Sequence, residues 1–355
     1  MSVPIINPPT FTRSSVAYLS NGTQVAANVP RFEQGKFGKA ILIEEGTENL
    51  VTNPKTWKPV SNQYQTTTET GEMFLGCTVS ETVKLSSATP SSTLASLTIA
   101  PGETYTASIY VQKVTLGGNP AYPRLIFYKT GENKVLVGSD PAADTNEWQR
   151  LVVTYTNDTD TSLPVLVLYY PTKDEGAITR QSAPQVEKKP FATSFVDGTR
   201  PGGNLVYDTR EIGITPEGDW TILGWYKKNA KQSVDNSWAA LFQMGNYYRE
   251  GESEFQIWTN HHGGFKAWSH QNRSSRGKIL FTPNDDELTD WFFVGVTRQG
   301  NSMRFYIHTR DREIVDSWTL SHDFPIAPRL SLGSWTFNGL IDELLILPYA
   351  TTEEE

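Results

Sequence analysis

One cysteine, Cys77, is all that the 355 residues contain. An intrachain disulfide is therefore excluded. With no His/Cys cluster beside it, Cys77 has no zinc-ligand spacing either, and a small buried apolar role is expected of it. Cationic charge is also scarce: 31 Lys and Arg stand against 39 Asp and Glu, a formal net charge of -8. That leaves no basic stripe to neutralise phosphates, so a nucleic-acid partner is not expected. No uninterrupted apolar run is long enough to span a bilayer, and Met1–Pro9 lacks the basic stretch followed by an apolar one that marks a secretory signal. Synthesis in a cytoplasm, with exit as part of an assembly or by lysis, is the expectation. A helical period and short repeats are missing as well.

What the chain does have is turn residues and rings: Gly 27, Pro 21, Trp 10, and 12% aromatics among 37% hydrophobic residues. That mixture suits short strands and many turns, and the length suits two or three domains. Strand-like runs recur at Ala40–Ile43, Ser96–Ile99, Thr104–Gln112, Arg124–Tyr128, Gln149–Tyr155, Val165–Tyr170 and Gln185–Glu187. Turn chemistry divides them: Asn21-Gly22 after a strand at Ser15–Leu19, then Pro101-Gly102, Gly117-Gly118 and Thr130-Gly131. In Thr104–Gln112 the side chains of Tyr105, Ala107, Ile109 and Val111 share one face, which predicts one core face and one wet face. The densest turn chemistry, at 197–203, predicts a linker; beyond it Trp220–Tyr226, Ala239–Met244, Glu254–Thr259, Phe265–His270, Trp291–Thr297, Met303–Thr309 and Gly339–Leu347 read as strands joined by hairpins.

Catalysis finds little support in these residues. A glycosidase needs two carboxylates flanking one bond. Glu252 and Glu254 share a face but are best read as a solvated strand edge, while Asp342 and Glu343 point to opposite faces of a strand. No flanked Ser forms a nucleophile elbow and no Gly-rich loop opens a helix. His261, His262, His270 and His308 are expected in solvent. Asp285, Asp286 and Asp342 are the only metal candidates, for calcium, with a polar loop and a buried structural cap as the favoured readings; no other cofactor is expected. The remaining signal is aromatic. Eight of the ten Trp lie beyond residue 204. Trp220, Trp225 and Trp291 are expected in the core. Trp238, Tyr247, Tyr248, Trp258, Trp268 and Trp335 lie at or near loops with polar neighbours, which suits stacking on a pyranose; inter-domain or inter-subunit contacts suit these rings equally well.

Three stretches resemble known families. Phe11-Thr12-Arg13-Ser14-Ser15, Asn28-Val29-Pro30-Arg31-Phe32 and Ile41-Leu42-Ile43-Glu44-Glu45-Gly46-Thr47-Glu48-Asn49-Leu50 resemble a segment that recurs in bacteriophage virion proteins. Glu48-Asn49-Leu50-Val51-Thr52-Asn53-Pro54 with Gln185-Val186-Glu187 and Phe191–Phe195 is similar to the opening and closing strands of jelly-roll carbohydrate-binding modules. Those modules often hold a structural calcium near a last-strand carboxylate, a group that Gln181-Ser182-Ala183-Pro184 lacks. Trp220–Tyr226, Trp291–Thr297 and Phe337–Ile346 resemble a laminin-G/concanavalin-A-like sandwich, and Thr351–Glu355 reads like the start of the acidic tail that follows it, as if the chain were trimmed.

The expected fold is thus all-β, with two antiparallel β-sandwiches, a jelly roll (48–196) and a laminin-G/concanavalin-A-like unit (204–355), joined by the 197–203 linker and preceded by a small β-rich anchor (1–47). The resemblances imply a non-enzymatic phage protein on the virion surface, displaying the sandwiches for adhesion to a host glycan. Its expected partners are other virion proteins, through the N-terminal segment, and further copies of itself in a homo-oligomer such as a trimer. A purely structural virion protein and a glycan-degrading enzyme are the alternatives.

Overall fold

A computed structural model describes the chain except residues 1–8, 20, 89, 230–238, 246–252, 260–264, 272–273, 284–286, 320–326, 336 and 353–355. It is built almost entirely of antiparallel strands; a single 3-10 turn, Glu287–Thr289, is the one helical element among the described residues. The chain divides into two compact units, one of residues 17–24 and 47–200, the other of residues 1–16, 25–46 and 201–355.

The first unit is a sandwich of a five-stranded and a four-stranded sheet. The five-stranded sheet runs Gln149–Thr156, Thr104–Lys113, Ile178–Glu187, Cys77–Lys84, Gln65–Phe74; the four-stranded one runs Lys134–Gly138, Arg124–Lys129, Leu163–Tyr170, Ser92–Ile99. Tyr105, Ala107, Ile109 and Val111 face Leu125, Phe127, Val165, Val167 and Tyr169 across the core, as their alternation predicts. The opposite face of Thr104–Lys113 is not wet, however: Thr104, Thr106 and Ser108 are buried too. The segment after the last strand covers them. The Thr106 hydroxyl bonds Lys189 O at 2.7 Å, and Arg150 Nη2 donates to Ser108 Oγ at 2.9 Å and to Thr193 O at 2.6 Å. Polar side chains on that face stay buried because they pair with this segment, which strand periodicity alone does not reveal. Glu187, also buried, accepts from Thr47 Oγ1 (2.5 Å), Thr193 N (3.0 Å) and Thr193 Oγ1 (2.6 Å), so protein donors meet its charge. Cys77 is buried, beside Tyr18, Leu75 and Phe195; burial pushes its thiol up to about 12, far from a reactive thiolate.

The second unit stacks two seven-stranded sheets. One runs Thr10–Thr12, Asn204–Asp208, Arg329–Trp335, Ala239–Gly245, Ser253–Thr259, Phe265–Gln271, Ser274–Phe281; the other runs Glu313–Thr319, Ser302–His308, Phe292–Gln299, Trp220–Lys228, Gly339–Leu347, Lys39–Ile43, Arg31–Gln34. Phe242, Phe255, Ile257 and Phe265 of the first meet Trp220, Ile222, Phe292, Val294 and Phe305 of the second in one core.

The N-terminal segment differs from the expected separate anchor. Its strands Thr10–Thr12, Arg31–Gln34 and Lys39–Ile43 belong to this second sandwich, pairing with Asn204–Asp208 and Gly339–Leu347. Phe11 and Ile43 lie in its core, and Arg31 and Glu44, both buried, bond at 2.5 Å. Only residues 17–24, with the strand Ala17–Tyr18, belong to the other unit, where Tyr18 packs on Phe195. Apolar alternation in Lys39–Ile43 is the reason: a strand so short gains most by completing an existing sheet. The boundary after Arg200 falls inside the expected 197–203 linker, but Thr199-Arg200 pairs with Thr47-Glu48 rather than hanging free.

Candidate functional site

The outer face of the sheet that holds Ser253–Thr259 carries the residues most difficult to explain as fold alone. Phe255, Ile257, Phe265 and Ala267 point into the core, so Glu254, Gln256, Trp258, Lys266 and Trp268 share the other side. Register aligns one row straight across this face, Thr10, Val206, Ser331, Gln243, Gln256, Trp268 and Gly277, one residue from each strand. Ser331, Gln243 and Gln256 in that row are buried, as is Glu254 beside them. A row of buried amides and a carboxyl on the outside of a sandwich is unusual, because polar groups are costly to bury unless bonded.

Gln243 Nε2 donates to Glu254 Oε2 at 2.9 Å. Burial raises the Glu254 carboxyl to about 7, with the amides of Gln256 and Gln243 favouring the charged form in partial compensation. The expectation of a solvated strand edge at Glu254 is therefore overturned, since its relative exposure is 1%; Glu252 lies outside the described residues. A carboxyl titrating near neutrality both accepts and donates protons, a property of general acids. Its cross-strand neighbours, however, are Gly245 and His270, neither of them a second carboxylate.

Trp268 is partly exposed and registers with Gly277 on the edge strand. A Cβ at Gly277 would stand 2.3 Å from Trp268 Cε3, so the indole lies across the glycine backbone. Only glycine permits this close approach. Trp258 meets Trp268 edge-on, ring centroids 6.0 Å apart, and Lys266 Nζ stands 5.1 Å from the Trp258 ring centre.

Of the six aromatic candidates, the structure thus brings Trp258 and Trp268 together on one face. Trp258 is 1% exposed, so it supports the site from below and does not itself offer a ring to solvent. Trp335 pairs by its backbone with Ala239, and nothing is described of its side chain. Trp238, Tyr247 and Tyr248 lie outside the described residues, as do His261, His262, Asp285 and Asp286. Among the Trp expected in the core, Trp220 is there at 1% exposure, whereas Trp225 and Trp291 are partly exposed. Trp225 instead packs on the outer side of its sheet, with Phe293 and Phe37 beside it and Lys36 Nζ 4.2 Å from its ring centre.

Asp342 is a structural cap. It is buried and accepts from Phe37 N and Glu343 N, each at 2.9 Å. Among the described residues no three His, Cys, Asp or Glu side chains converge. Sequence reasoning missed Gln243, Gln256, Lys266 and Gly277, and it read Glu254 as a solvated edge. The signal was present in the parity of Glu254, Gln256 and Trp258 against Phe255 and Ile257, and of Lys266 and Trp268 against Phe265 and Ala267.

No known family profile matches this sequence, and no curated protein does. Among solved structures, the enzymatically active domain of tailspike protein 2 from bacteriophage CBA120 is 12% identical with a TM-score of 0.33, covering 42% of this chain and 24% of that one. The CBM22-1-CBM22-2 tandem of Paenibacillus barcinonensis Xyn10C is 12% identical with a TM-score of 0.27, covering 87% and 99%. The mouse laminin alpha1 domains LG4-5 are 10% identical with a TM-score of 0.28, covering 73% and 89%. The chain spans about a quarter of the length of the tailspike it is similar to.

Proposed function

We propose that this chain is a glycan-binding β-sandwich protein of a phage virion surface, non-enzymatic, with its binding face on the outer side of the sheet that carries Trp268. The observation that carries the reading is the Trp268 ring laid across Gly277 beside buried Gln243, Glu254 and Gln256. A pyranose has an apolar C–H face for the indole and hydroxyls for amides, a carboxyl and the Lys266 ammonium. The virion assignment rests on the N-terminal resemblance. That segment, though folded into the sandwich, keeps Val29, Phe32 and Phe37 at 45%, 50% and 58% exposure, which suits packing against other virion proteins or a second copy of the chain. Assembly as a homo-oligomer such as a trimer would multiply weak sites by avidity.

A glycan array probed with the full chain, then with Trp268→Ala, tests the reading. Loss of affinity by about 30-fold, the scale of one interface hot spot, is expected on removal of the ring. Absence of any glycan binding by the unaltered chain would favour a purely structural virion role. The near-neutral Glu254 gives one reason to keep a glycan hydrolase as the second reading. Release of reducing sugar from host cell-wall material, lost in Glu254→Gln, would establish it.

A further inference from the structure

We propose that the other sheet of the same sandwich bears a separate cleft for a single pyranose unit, independent of the Trp268 face. A cleft of about 280 Å³ opens on the outer side of Trp220–Lys228, Phe292–Gln299, Ser302–His308 and Glu313–Thr319. Register sets two parallel rows across it: Phe293, His308 and Glu313, then Leu223, Gly295, Tyr306 and Val315. Gly295 is the one position in these rows without a side chain. A Cβ there would approach Phe293 Cε1 at 3.3 Å, Phe293 Cζ at 3.5 Å and Tyr306 Cβ at 3.5 Å, so the Phe293 ring leans over the glycine and forms with it an apolar floor beside Tyr306.

The polar groups lie around this apolar floor. The hydroxyls of Thr221, Thr297 and Thr351 stand within 3.2 to 3.4 Å of one another beyond Gly295, while His308 and Glu313 occupy the neighbouring row. The Tyr306 phenol oxygen is buried and, among the described residues, has no hydrogen-bond partner, a costly state that a ligand hydroxyl relieves. An apolar floor between phenol, imidazole, carboxylate and hydroxyl groups matches an uncharged ring that is apolar on one face and hydroxylated at its edge. A purely apolar ligand leaves the Tyr306 oxygen unmet. The volume lies just under the range of about 300–1,000 Å³ usual for ligand sites, which fits one ring rather than a chain.

The test is saturation-transfer NMR on the full chain with free hexoses and N-acetylhexosamines, one at a time. At least one should give saturable transfer with millimolar affinity. Gly295→Val, which fills the floor with a residue suited to a strand, should weaken it by about tenfold or more, and Tyr306→Phe should weaken it by about threefold. Trp268→Ala should leave it intact, which separates this cleft from the glycan face proposed above. Absence of transfer from every monosaccharide overturns the proposal. So does affinity unchanged in both Gly295→Val and Tyr306→Phe, or affinity lost in Trp268→Ala alone.

Discussion

Deleting residues 1–46 is expected to unfold the C-terminal sandwich. Phe11 and Ile43 are core residues, 5% and 0% exposed, and Ala40 and Leu42 are buried beside them. At about 1.5–3 kcal/mol for each large side chain, their loss removes on the order of 5–10 kcal/mol, comparable with the roughly 5–15 kcal/mol that holds a domain together. Deletion also strips Lys39–Ile43 from Gly339–Leu347 and opens that strand as an unpaired edge. Calorimetry of residues 47–355 should show the transition of this unit missing. The milder Ile43→Ala should lower stability by about 2–5 kcal/mol. A truncated chain that melts like the full one would mean that the segment only decorates the sandwich.

Glu254→Gln should raise stability by about 3 kcal/mol at pH 8 and by nothing at pH 4, given a carboxyl raised from 4.5 to about 7 by burial. Below the ordinary carboxylate value both folded and unfolded chains hold the proton. Between that value and about 7 the unfolded chain releases it while the folded one does not, so stability falls as pH rises through this window. Above it the penalty stays constant, and the neutral amide avoids it. Urea unfolding at the two pH values measures the difference; an equal effect at both would place the raised carboxyl elsewhere.

The all-β class was legible from turn spacing and alternation, and strands such as Thr104–Lys113 and Trp220–Lys228 fall within a residue or two of expectation. What alternation hides is how each face is covered. Thr106 and Ser108 look wet in sequence but are buried, because a segment some 80 residues onward lies over them. Trp258 looked like a surface ring and is buried, while Trp225 looked like core and is partly exposed. In both cases neighbouring residue types suggested one face, and the sheet on which the strand sits decided the other. Assignment of residues 1–47 to a separate module failed for a related reason: a four- or five-residue strand carries no mark of the sheet it will complete. The candidate site was half legible. Trp268 stands out in sequence by its ring and its polar neighbours, but Gly277 becomes meaningful only once register places it beneath that ring.

Gly277→Val is therefore the most direct measurement. It leaves every polar group of the face in place and, with Cβ 2.3 Å from the indole, forces Trp268 off its seat on an exposed strand position where valine is well tolerated. Isothermal titration with a glycan bound by the unaltered chain should show binding lost by at least about 30-fold, with the melting temperature held within a few degrees. Undiminished affinity in the folded variant would contradict a sugar site built on Trp268.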